Sequence, residues 1–430
     1  MRRLFLLAIC ILLLTACKKA LMQSTQESST NVPWTDSSQH HPKNEVFKKL
    51  INKYNRLGLP GLSLMITDQY GTWIGSTGKA DLKKGIDFAP CQVSKIASVT
   101  KFMMGALVFK MMEDSIHTGI GYSALNTKIS NWLPETVIGK VANADKVTLG
   151  QLMNHETGIP DLIEQDKFYL AVLNNPNKKW NQYELLKFVA GVPAVFAPGD
   201  TAIYSNTNTL LVSLILEKVS GRNHSELLRE KIFNPLGMTN TFYHPHEEVP
   251  ASAAQGYFDL YKTHALVNVS NFITGSGNGY GGIYSNVTDM ARFLDAVLIH
   301  PRFLSSKSLA LMQRYGKSDG ANRYGYGLMK KFISRGENAG LGHSGRDLGY
   351  TADLFYFPSK KVSYSLLVNY GTDANSFLKE VFVQFENEIL DLILTWTIKM
   401  VILLFCYSVI PLGFQNSQIL QLSNCITVKQ

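Results

Sequence analysis

Two residues at helical spacing, Ser98 and Lys101, could together perform nucleophilic acyl transfer. They open an apolar segment that runs to about Asp114 and that we predict to be a helix. Residues three apart share one helix face, and the free N–H groups at a helix start stabilise negative charge. A lysine amine among apolar neighbours has a lowered pKa and can act as a base. The pair therefore predicts Ser98 as a nucleophile that Lys101 helps to activate.

A phenol and an amide further along the chain could complete the proton transfer. Tyr204 and Asn206 stand directly before residues 208–219, which have the apolar pattern of a helix. A phenol beside an ammonium has its charged form stabilised, so Tyr204 can accept the proton of Ser98. Asn206 is expected to orient Lys101 and to bind the amide carbonyl of a substrate.

A third group of residues has the composition of a substrate-binding strand edge. His343, Ser344 and Gly345 precede two strand-like segments, and small residues at an edge allow a substrate backbone to lie alongside. We expect the backbone N–H groups of Arg346 and Ser98 to form an oxyanion hole for the reacting carbonyl. The four residues from His343 to Arg346 are therefore predicted to bind substrate.

The order of these three motifs resembles that of the serine β-lactamase and penicillin-binding superfamily. The Tyr-x-Asn form of the second motif is similar to the class C-like branch, which contains DD-carboxypeptidases, class C β-lactamases and related esterases and D-aminopeptidases. The resemblance covers residues 45–388 and implies an acyl-enzyme mechanism on amide or ester bonds without a metal or organic cofactor. Further segments that resemble signature stretches of this group are residues 147–161, 196–206, 233–238, 281–285 and 342–349.

One residue departs from the class C pattern, because His343 stands where class C β-lactamases carry lysine. A neutral imidazole anchors a substrate carboxylate less strongly than an ammonium, although Arg346 could supply a charge. Because histidine is similar to the carboxypeptidase and esterase branches, we predict a D-alanyl-D-alanine carboxypeptidase-like peptidase. Its substrates would be small peptides, esters or β-lactams, with peptidoglycan as a candidate. The alternatives are a class C-like β-lactamase, an esterase, and a penicillin-fold binding protein without activity.

Similar residue groups elsewhere in the chain are assigned structural roles. The Ser-x-x-Lys spacing recurs at residues 76–79 and 376–379 without the accompanying motifs, and a second Tyr-Ser-Asn at residues 284–286 is typical of a helix cap. The glycine-rich residues 275–282 lack the strand–turn–helix context of a nucleotide site, so we predict a packing loop near the active-site mouth. The histidines within residues 244–248 lie in a predicted loop, and no metal is assigned to them.

Strand and helix patterns indicate which elements must bring the motifs together. Strand-like segments lie near both ends of the hydrolase region of residues 45–388, and helical patterns fill most of its middle. We therefore predict an α/β (α+β) fold in which an antiparallel sheet from both chain ends is flanked by helices. An all-helical lobe is expected at about residues 115–280, with Ser98 at the base of a cleft between the lobes. The predicted strands are residues 61–67, 71–78, 351–357 and 362–369.

The first residues resemble a bacterial lipoprotein signal. A short apolar segment follows a basic start, and small residues lead into Cys17, which predicts a signal peptide of residues 1–16 and lipidation of Cys17. Residues 17–44 are rich in Ser, Thr, Gln and Asn, which is typical of a flexible tether. We thus expect a lipid-anchored protein of the bacterial cell envelope, facing the periplasm or the cell exterior. The apolar tail of residues 389–430 is interpreted either as a membrane-associated segment or as an extension.

Composition narrows the class of partner. The chain carries a net charge of +9, but its basic residues are scattered and form no stripe interleaved with aromatic residues, so nucleic acid is not an expected partner. Hydrophobic residues make up 45% of the chain, which is sufficient for a packed core. We expect a monomer that binds a small substrate and, through Cys17, a membrane.

Overall fold

The computed structural model of the chain describes residues 38–317, 320–372 and 376–395. The predicted signal peptide, Cys17, most of the tether and most of the tail lie outside these described residues. The chain divides into two units, Met1–Phe385 and Glu386–Gln430, and the first contains the three motifs. In the second unit, residues 386–394 are helical.

The strands form one large sheet and two small ones. They are β1 (Gly61–Asp68), β2 (Gly71–Asp81), β3 (Ile86–Asp87), β4 (Ser94–Lys95), β5 (Phe242–Tyr243), β6 (Tyr257–Phe258), β7 (Val267–Asn268), β8 (Ile283–Ser285), β9 (Arg323–Tyr324), β10 (Met329–Lys331), β11 (Gly340–Asp347), β12 (Tyr350–Phe357) and β13 (Val362–Val368). The large sheet has eight strands in the order β3-β2-β1-β13-β12-β11-β10-β9. The small sheets have the orders β4-β8-β5 and β6-β7.

The pairing of β1 with β13 joins the two ends of the hydrolase region. In this antiparallel pair Leu62 lies opposite Val368, and Ile66 lies opposite Tyr364. All four of these side chains are buried, since alternate residues of a strand face the same side of a sheet. The predicted antiparallel sheet from both chain ends is therefore confirmed.

Helices occupy most of the chain between the two sets of strands. The α-helices are α1 (Asn44–Arg56), α2 (Thr100–Glu113), α3 (Ser115–Thr118), α4 (Glu135–Ile138), α5 (Leu149–Met153), α6 (Asp166–Asn174), α7 (Gln182–Leu186), α8 (Asn206–Ser220), α9 (His224–Leu228), α10 (Val287–Leu294), α11 (Ser306–Met312) and α12 (Lys379–Leu394). Short 3₁₀ turns lie at Ser38–His40, Ala97–Val99, Tyr122–Asn126, Ile129–Asn131, Leu162–Glu164 and Ile333–Asn338, and π-helical turns at Arg229–Phe233 and Asp295–Ile299.

The lobe predicted at residues 115–280 is mostly helical but not entirely so. The two-residue strands β5, β6 and β7 lie within it, because short backbone pairings hold its long loops in place. The last helix also differs from the helix that the sequence pattern predicts at about residues 376–388. It begins at Lys379 and runs to Leu394, past the boundary at residue 388 where the predicted tail begins. No helix within the described ranges is both long and apolar enough to cross a lipid bilayer.

Helix α2 runs through the core and carries the first motif at its start. All but two of its residues are buried, so it lacks the polar face of a surface helix. Gly105 lies on this helix where the loop at Gly327 crosses it, and a Cβ at either position would collide with the backbone of the other segment. Tight packing on every side fixes the position of the residues at the start of the helix.

Candidate active site

The three motifs meet in one cleft with a volume of about 470 Å³. Ser98 before α2, Tyr204 and Asn206 at the start of α8, and Ser344 on β11 all line it. The cleft therefore lies where residues of the large sheet face residues of the helical segment. This is the placement that the sequence predicts for the nucleophile.

Ser98 lies in a 3₁₀ turn, Ala97–Val99, rather than in the first turn of the predicted α-helix. Ala97 has φ +48°, a left-handed conformation that residues other than glycine rarely adopt. Backbone strain of this kind costs about 1–3 kcal/mol and is typical of functional sites. The turn leads directly into α2, so Ser98 still lies at the positive end of a buried helix.

Lys101 is buried and makes three hydrogen bonds. Its Nζ lies 3.0 Å from Ser98 Oγ, 2.7 Å from Asn206 Oδ1 and 2.7 Å from the carbonyl oxygen of Tyr280. Two of these partners, the amide oxygen and the carbonyl oxygen, can only accept a proton. A neutral amine must therefore give its two N–H groups to Asn206 and Tyr280, which leaves its lone pair directed at the hydroxyl of Ser98.

The surroundings of Lys101 favour this neutral form. Burial lowers the pKa of Lys101 from 10.5 to about 7, while the charges of Asp161 and Asp347 oppose the shift. A substantial fraction of the amine is thus uncharged at neutral pH, as a general base requires.

Tyr204 packs against Lys101, with the amine 4.8 Å from the centre of the phenol ring. The ring of His155 lies behind it, at a centroid distance of 4.6 Å. The Nδ1 atom of His155 accepts a hydrogen bond from the N–H of Ser205 at 3.2 Å, so the proton of this ring is on Nε2. Burial holds the pKa of His155 well below its usual value. His155 is therefore a neutral ring that braces the loop carrying Tyr204.

Asn206 links Lys101 to a carboxylate that the sequence does not single out. While Oδ1 of Asn206 accepts from Lys101, its Nδ2 donates to Asp161 Oδ2 at 2.8 Å. Burial raises the pKa of Asp161 to about 6, although hydrogen bonds from Asn206 and Ile163 oppose this shift. Asp161 also lines the cleft. The signal that could have identified it is its place at the end of the matching stretch 147–161.

The third motif lies on β11, where this strand borders the cleft. Among the described strands, β10 covers this edge of β11 only at Gly340–Gly342. A Cβ added at Gly345 would overlap the carbonyl oxygen of Ile96, so only glycine allows β11 to approach the turn of Ser98. The backbone N–H groups of Ser98 and Arg346 are thus carried by two segments in close contact. Their role as an oxyanion hole stays a prediction.

His343 lies behind the wall of the cleft. Its side chain is buried, its Nδ1 donates to the carbonyl of Ser344 at 2.6 Å, and it lines a small inner cavity of about 20 Å³ together with Lys101 and His155. Burial lowers the pKa of His343 to about 3, so the ring is neutral. Its role in substrate binding stays a prediction, and the structure shows a buried neutral ring 6.1 Å from that of Tyr204.

The charge of Arg346 is held by a partner inside the protein. Its guanidinium donates to Oδ1 of Asp353 at 3.0 Å, and the side chain of Asp353 is fully buried. A second cation contacts a side chain of the third motif, because Nζ of Lys331 on β10 donates to Ser344 Oγ at 3.0 Å. The sequence does not indicate Lys331, since only the pairing of β10 with β11 brings it to this strand.

The glycine-rich residues 275–282 form part of the cleft, as the packing-loop interpretation predicts. One of these residues, Tyr280, accepts a hydrogen bond from Lys101 through its backbone carbonyl. Residue types alone cannot reveal this contact. Asp347 fixes this loop by accepting hydrogen bonds from Thr274 at 2.9 Å and Ser276 at 3.0 Å. Nζ of Lys95 lies 3.3 Å from the same carboxylate.

Two of the competing residue groups, at residues 76–79 and 284–286, lie outside the lining of the cleft of Ser98. Asn286 caps α10 by accepting from the N–H of Asp289 at 2.8 Å, and Tyr284 lies on β8 outside the cleft of Ser98. Lys79 on β2 pairs with Asp87 at 2.5 Å on the surface. Within the described ranges, no group of three His, Cys, Asp or Glu side chains is placed to hold a metal ion.

This arrangement can carry out acyl transfer. Loss of the Ser98 proton toward Lys101 or Tyr204 would produce an alkoxide beside the edge of β11. Attack on a carbonyl would give a tetrahedral intermediate and then an acyl-enzyme, with the leaving group protonated by the same base. Water would release the acyl group by the reverse sequence of proton transfers.

Comparisons with known proteins agree with the fold and the motif order. A family model described as Beta-lactamase matches residues 47–383. The chain is similar to the D-alanyl-D-alanine-carboxypeptidase/endopeptidase AmpH of Escherichia coli (strain K12), at 24% identity over 69% of this chain and 74% of the relative. It is also similar to penicillin-binding protein 4 of Amycolatopsis lactamdurans, at 26% identity over 71% of this chain and 79% of the relative.

Solved structures share the fold over most of their length. D-amino acid amidase of Ochrobactrum anthropi SV3, complexed with L-phenylalanine amide, aligns with a TM-score of 0.68 at 24% identity, covering 80% of this chain and 98% of that one. A penicillin binding protein of Bacillus halodurans aligns with a TM-score of 0.65 at 22% identity, covering 79% and 98%.

Proposed function

The chain belongs to the beta-lactamase family of serine hydrolases, and from that premise we propose that it is a D-alanyl-D-alanine carboxypeptidase-like peptidase. In this proposal Ser98 attacks the carbonyl of a D-residue in a small peptide and forms an acyl-enzyme. The observation that carries it is the geometry of Lys101, whose two acceptor-only partners leave its lone pair for the hydroxyl of Ser98. Tyr204 acts with Lys101 in the transfer of the proton.

The substrate class is supported by the cation at the third motif. A carboxypeptidase must bind the terminal carboxylate of its peptide, and the buried neutral ring of His343 is poorly suited to this task. The ammonium of Lys331, 3.0 Å from Ser344 Oγ, brings positive charge to the strand that borders the cleft. The similarity to a D-alanyl-D-alanine-carboxypeptidase/endopeptidase agrees with this choice.

A specific observation favours an esterase or amidase as the second candidate. The guanidinium of Arg346 is already paired with Asp353, and the carboxylates of Asp161 and Asp347 also line the cleft. Negative charge there disfavours an anionic substrate and suits an uncharged ester or amide. The two candidates differ in whether the substrate needs a free carboxylate.

The deciding measurement follows the mass of the purified protein over time with benzylpenicillin and, separately, with a fluorophosphonate. We expect both reagents to add to Ser98 and neither to add to the Ser98→Ala variant. A persistent penicillin adduct supports the peptidase, whereas a brief adduct with accumulating hydrolysed penicillin identifies a β-lactamase. Labelling by the fluorophosphonate alone identifies the esterase. A folded protein that neither reagent labels would be a binding protein.

A matched pair of lysine variants separates the two leading candidates. Lys331→Met should reduce kcat/KM for a peptide ending in D-alanyl-D-alanine by about tenfold, the loss expected for one charge-assisted contact. The same variant should leave hydrolysis of an uncharged ester unchanged. Lys330→Met is the control, because Lys330 is the neighbouring cation on β10 and its Nζ lies over the ring of Tyr315, at 5.8 Å from the ring centre. Equal effects of Lys331→Met on both substrates would contradict the carboxypeptidase.

We further infer that the protein is exported and held in the bacterial cell envelope by lipidated Cys17. The lipobox-like residues before Cys17 and the polar tether after it support this localisation. A monomer anchored in this way would reach peptide substrates of the peptidoglycan.

A further inference from the structure

The loop that ends at Asp161 is fastened to the first turn of α8. The hydroxyl of Thr207 donates to the carbonyl of Pro160 at 2.7 Å and accepts from the N–H of Leu162 at 3.0 Å. Thr207 is fully buried, so these bonds are not shared with bulk water. These bonds therefore hold Asp161, which lies between Pro160 and Leu162, beside Asn206, which precedes Thr207.

The carboxylate of Asp161 accepts hydrogen bonds from both the side-chain amide and the backbone N–H of Asn206. Its Oδ2 accepts from the side-chain Nδ2 of Asn206 at 2.8 Å, and the backbone N–H of Asn206 also donates to it. Its Oδ1 accepts from the N–H of Ile163 at 3.2 Å. Asp161 is therefore held by its own turn on one side and by α8 on the other.

An amide between an ammonium and a carboxylate has only one satisfactory orientation. An ammonium can only donate and an ionised carboxylate can only accept, so in the ammonium form of Lys101 the amide oxygen must face Lys101 and the amide nitrogen must face Asp161. Without the carboxylate, the amide could rotate and present an N–H group to the amine, which would repel the ammonium form and would occupy the lone pair of the neutral form. The direction of the lone pair of Lys101 depends on this orientation, because Asn206 accepts one of its N–H groups.

We propose that Asp161 is a positioning residue that locks the amide of Asn206 and thereby directs Lys101 at Ser98. The proposal rests on the proposed function, since it assumes that Ser98 is the nucleophile. Asp161 would have two separable effects, one through its hydrogen-bond acceptors and one through its negative charge.

The charge effect has a definite sign. The groups that act electrostatically on Lys101 or face its amine are the carboxylates of Asp161 and Asp347, the rings of His155 and His343, and the phenols of Tyr204 and Tyr280. Burial keeps both histidines neutral, so the two carboxylates are the charges that raise the pKa of Lys101. Removing the charge of Asp161 should lower that pKa and extend activity to lower pH.

Two variants separate the acceptor from the charge. Asp161→Asn keeps an oxygen that can accept from Asn206 but removes the charge, whereas Asp161→Ala removes both. The measured quantity is the rate at which a fluorophosphonate labels Ser98, followed from pH 5 to 9. For Asp161→Asn we expect a labelling rate within about threefold of that of the protein without substitutions at high pH. The acid limb of the pH–rate profile should lie about one pH unit lower. For Asp161→Ala we expect the same downward shift of the acid limb, together with a rate about tenfold to a hundredfold lower at high pH, because the amine is misdirected.

Asp289→Asn is the matched control. Asp289 is also buried and accepts hydrogen bonds, but from the backbone N–H of Asn240 and the hydroxyl of Thr241 and not from Asn206. It should lower the melting temperature without changing the labelling rate or its pH dependence.

Two results would overturn the proposal. One is labelling of both Asp161 variants at the rate and pH dependence of the unmodified protein. The other is an equal loss in both variants at every pH, with an unmoved acid limb and a lowered melting temperature, because that result shows a merely structural role. Failure of the unmodified protein to be labelled would instead contradict the proposed function.

Discussion

The reactivity of Ser98 depends on the protonation state of Lys101. As an ammonium, Lys101 donates to all three of its oxygen partners and has no lone pair for the hydroxyl of Ser98. As a neutral amine it keeps the bonds to Asn206 and Tyr280 and can accept the proton. The same three contacts therefore describe an inactive state and a reactive state that differ by one proton.

This dependence predicts how rate varies with pH. Because burial lowers the pKa of Lys101 to about 7, the reactive amine is present above that pH and is lost below it. We expect kcat/KM for a D-alanyl-D-alanine peptide to rise through about pH 7 and to approach a plateau by about pH 8. A limb near pH 10 would show an amine of ordinary pKa and would contradict the role of Lys101 as a base.

A pair of tyrosine variants tests the second proton carrier. Tyr204 lies in the cleft with its ring 4.8 Å from the amine of Lys101, whereas Tyr284 belongs to β8 and lines a different cavity. Tyr204→Phe should slow labelling of Ser98 by about a hundredfold or more, since it removes a proton carrier but keeps the ring. Tyr284→Phe removes the same atom from the other Tyr-Ser-Asn and should leave the rate unchanged. The reverse result would assign the role of proton carrier to Tyr284 instead of Tyr204.

The sequence predicts the site residues that belong to motifs. It misses the residues that only the folding of the chain places next to those motifs. Ser98, Lys101, Tyr204 and Asn206 could be named because each stands at a recognisable spacing. The carbonyl of Tyr280 has no such mark, since every residue has a carbonyl. Asp161 and Lys331 were likewise not singled out, because their contacts depend on how a loop and a strand pack against the motifs.

At the scale of elements, the contact between β11 and the turn of Ser98 sets the geometry of the proposed oxyanion hole. Gly345 allows the contact, because any side chain there would meet the backbone at Ile96. The strain at Ala97, with φ +48°, lies in the same turn. Strand and turn thus fix two backbone N–H donors by packing of the main chain, before any substrate is bound.

A single methyl group should disturb this contact. Gly345→Ala is expected to push β11 away from the turn, lowering kcat/KM by about tenfold or more and stability by about 1–3 kcal/mol. Gly121→Ala is the control, since a Cβ there would lie 3.7 Å from Ser115, which is ordinary contact. Kinetics and urea unfolding measure the two effects. Unchanged activity in Gly345→Ala would show that the spacing of β11 and the turn does not matter for catalysis.

The sequence predicts helices and strands correctly where the apolar pattern is strong, but the predicted ends differ from the observed ends by a few residues. Helix α8 was predicted at residues 208–219 and is found at Asn206–Ser220, closed by Gly221 at φ +66°. The turn that carries Ser98 was predicted to be α-helical and is 3₁₀, with Ala97 at φ +48° where the turn contacts β11.

At the scale of the whole molecule, the sheet depends on strands that are some three hundred residues apart in sequence. Strand-like residue patterns at β1 and β13 indicated that both are strands, but not that Leu62 lies opposite Val368. The register emerges only when the side chains of both strands are packed against the same helices. Strands at both ends with helices between them predict the architecture, whereas the pairing itself is a property of the folded chain.

The attachment of this folded unit to a membrane is a separate question, because the residues proposed to anchor it lie outside the described ranges. Each buried methylene of an acyl chain contributes about 0.8 kcal/mol, so two or three chains on Cys17 would hold the protein stably at a bilayer. The tail is the competing anchor, since most of residues 389–414 are apolar. The two anchors make different predictions for one substitution.

Cys17→Ser should move the protein from the membrane fraction to the soluble fraction and abolish incorporation of labelled palmitate, while Ser98 remains reactive toward a fluorophosphonate. Cys10→Ser is the matched control, because Cys10 belongs to the predicted signal peptide and should leave both properties unchanged. Cys17→Ser that loses the palmitate label but stays in the membrane fraction would assign the attachment to the tail. Deletion of residues 396–430 in the same variant should then release the protein.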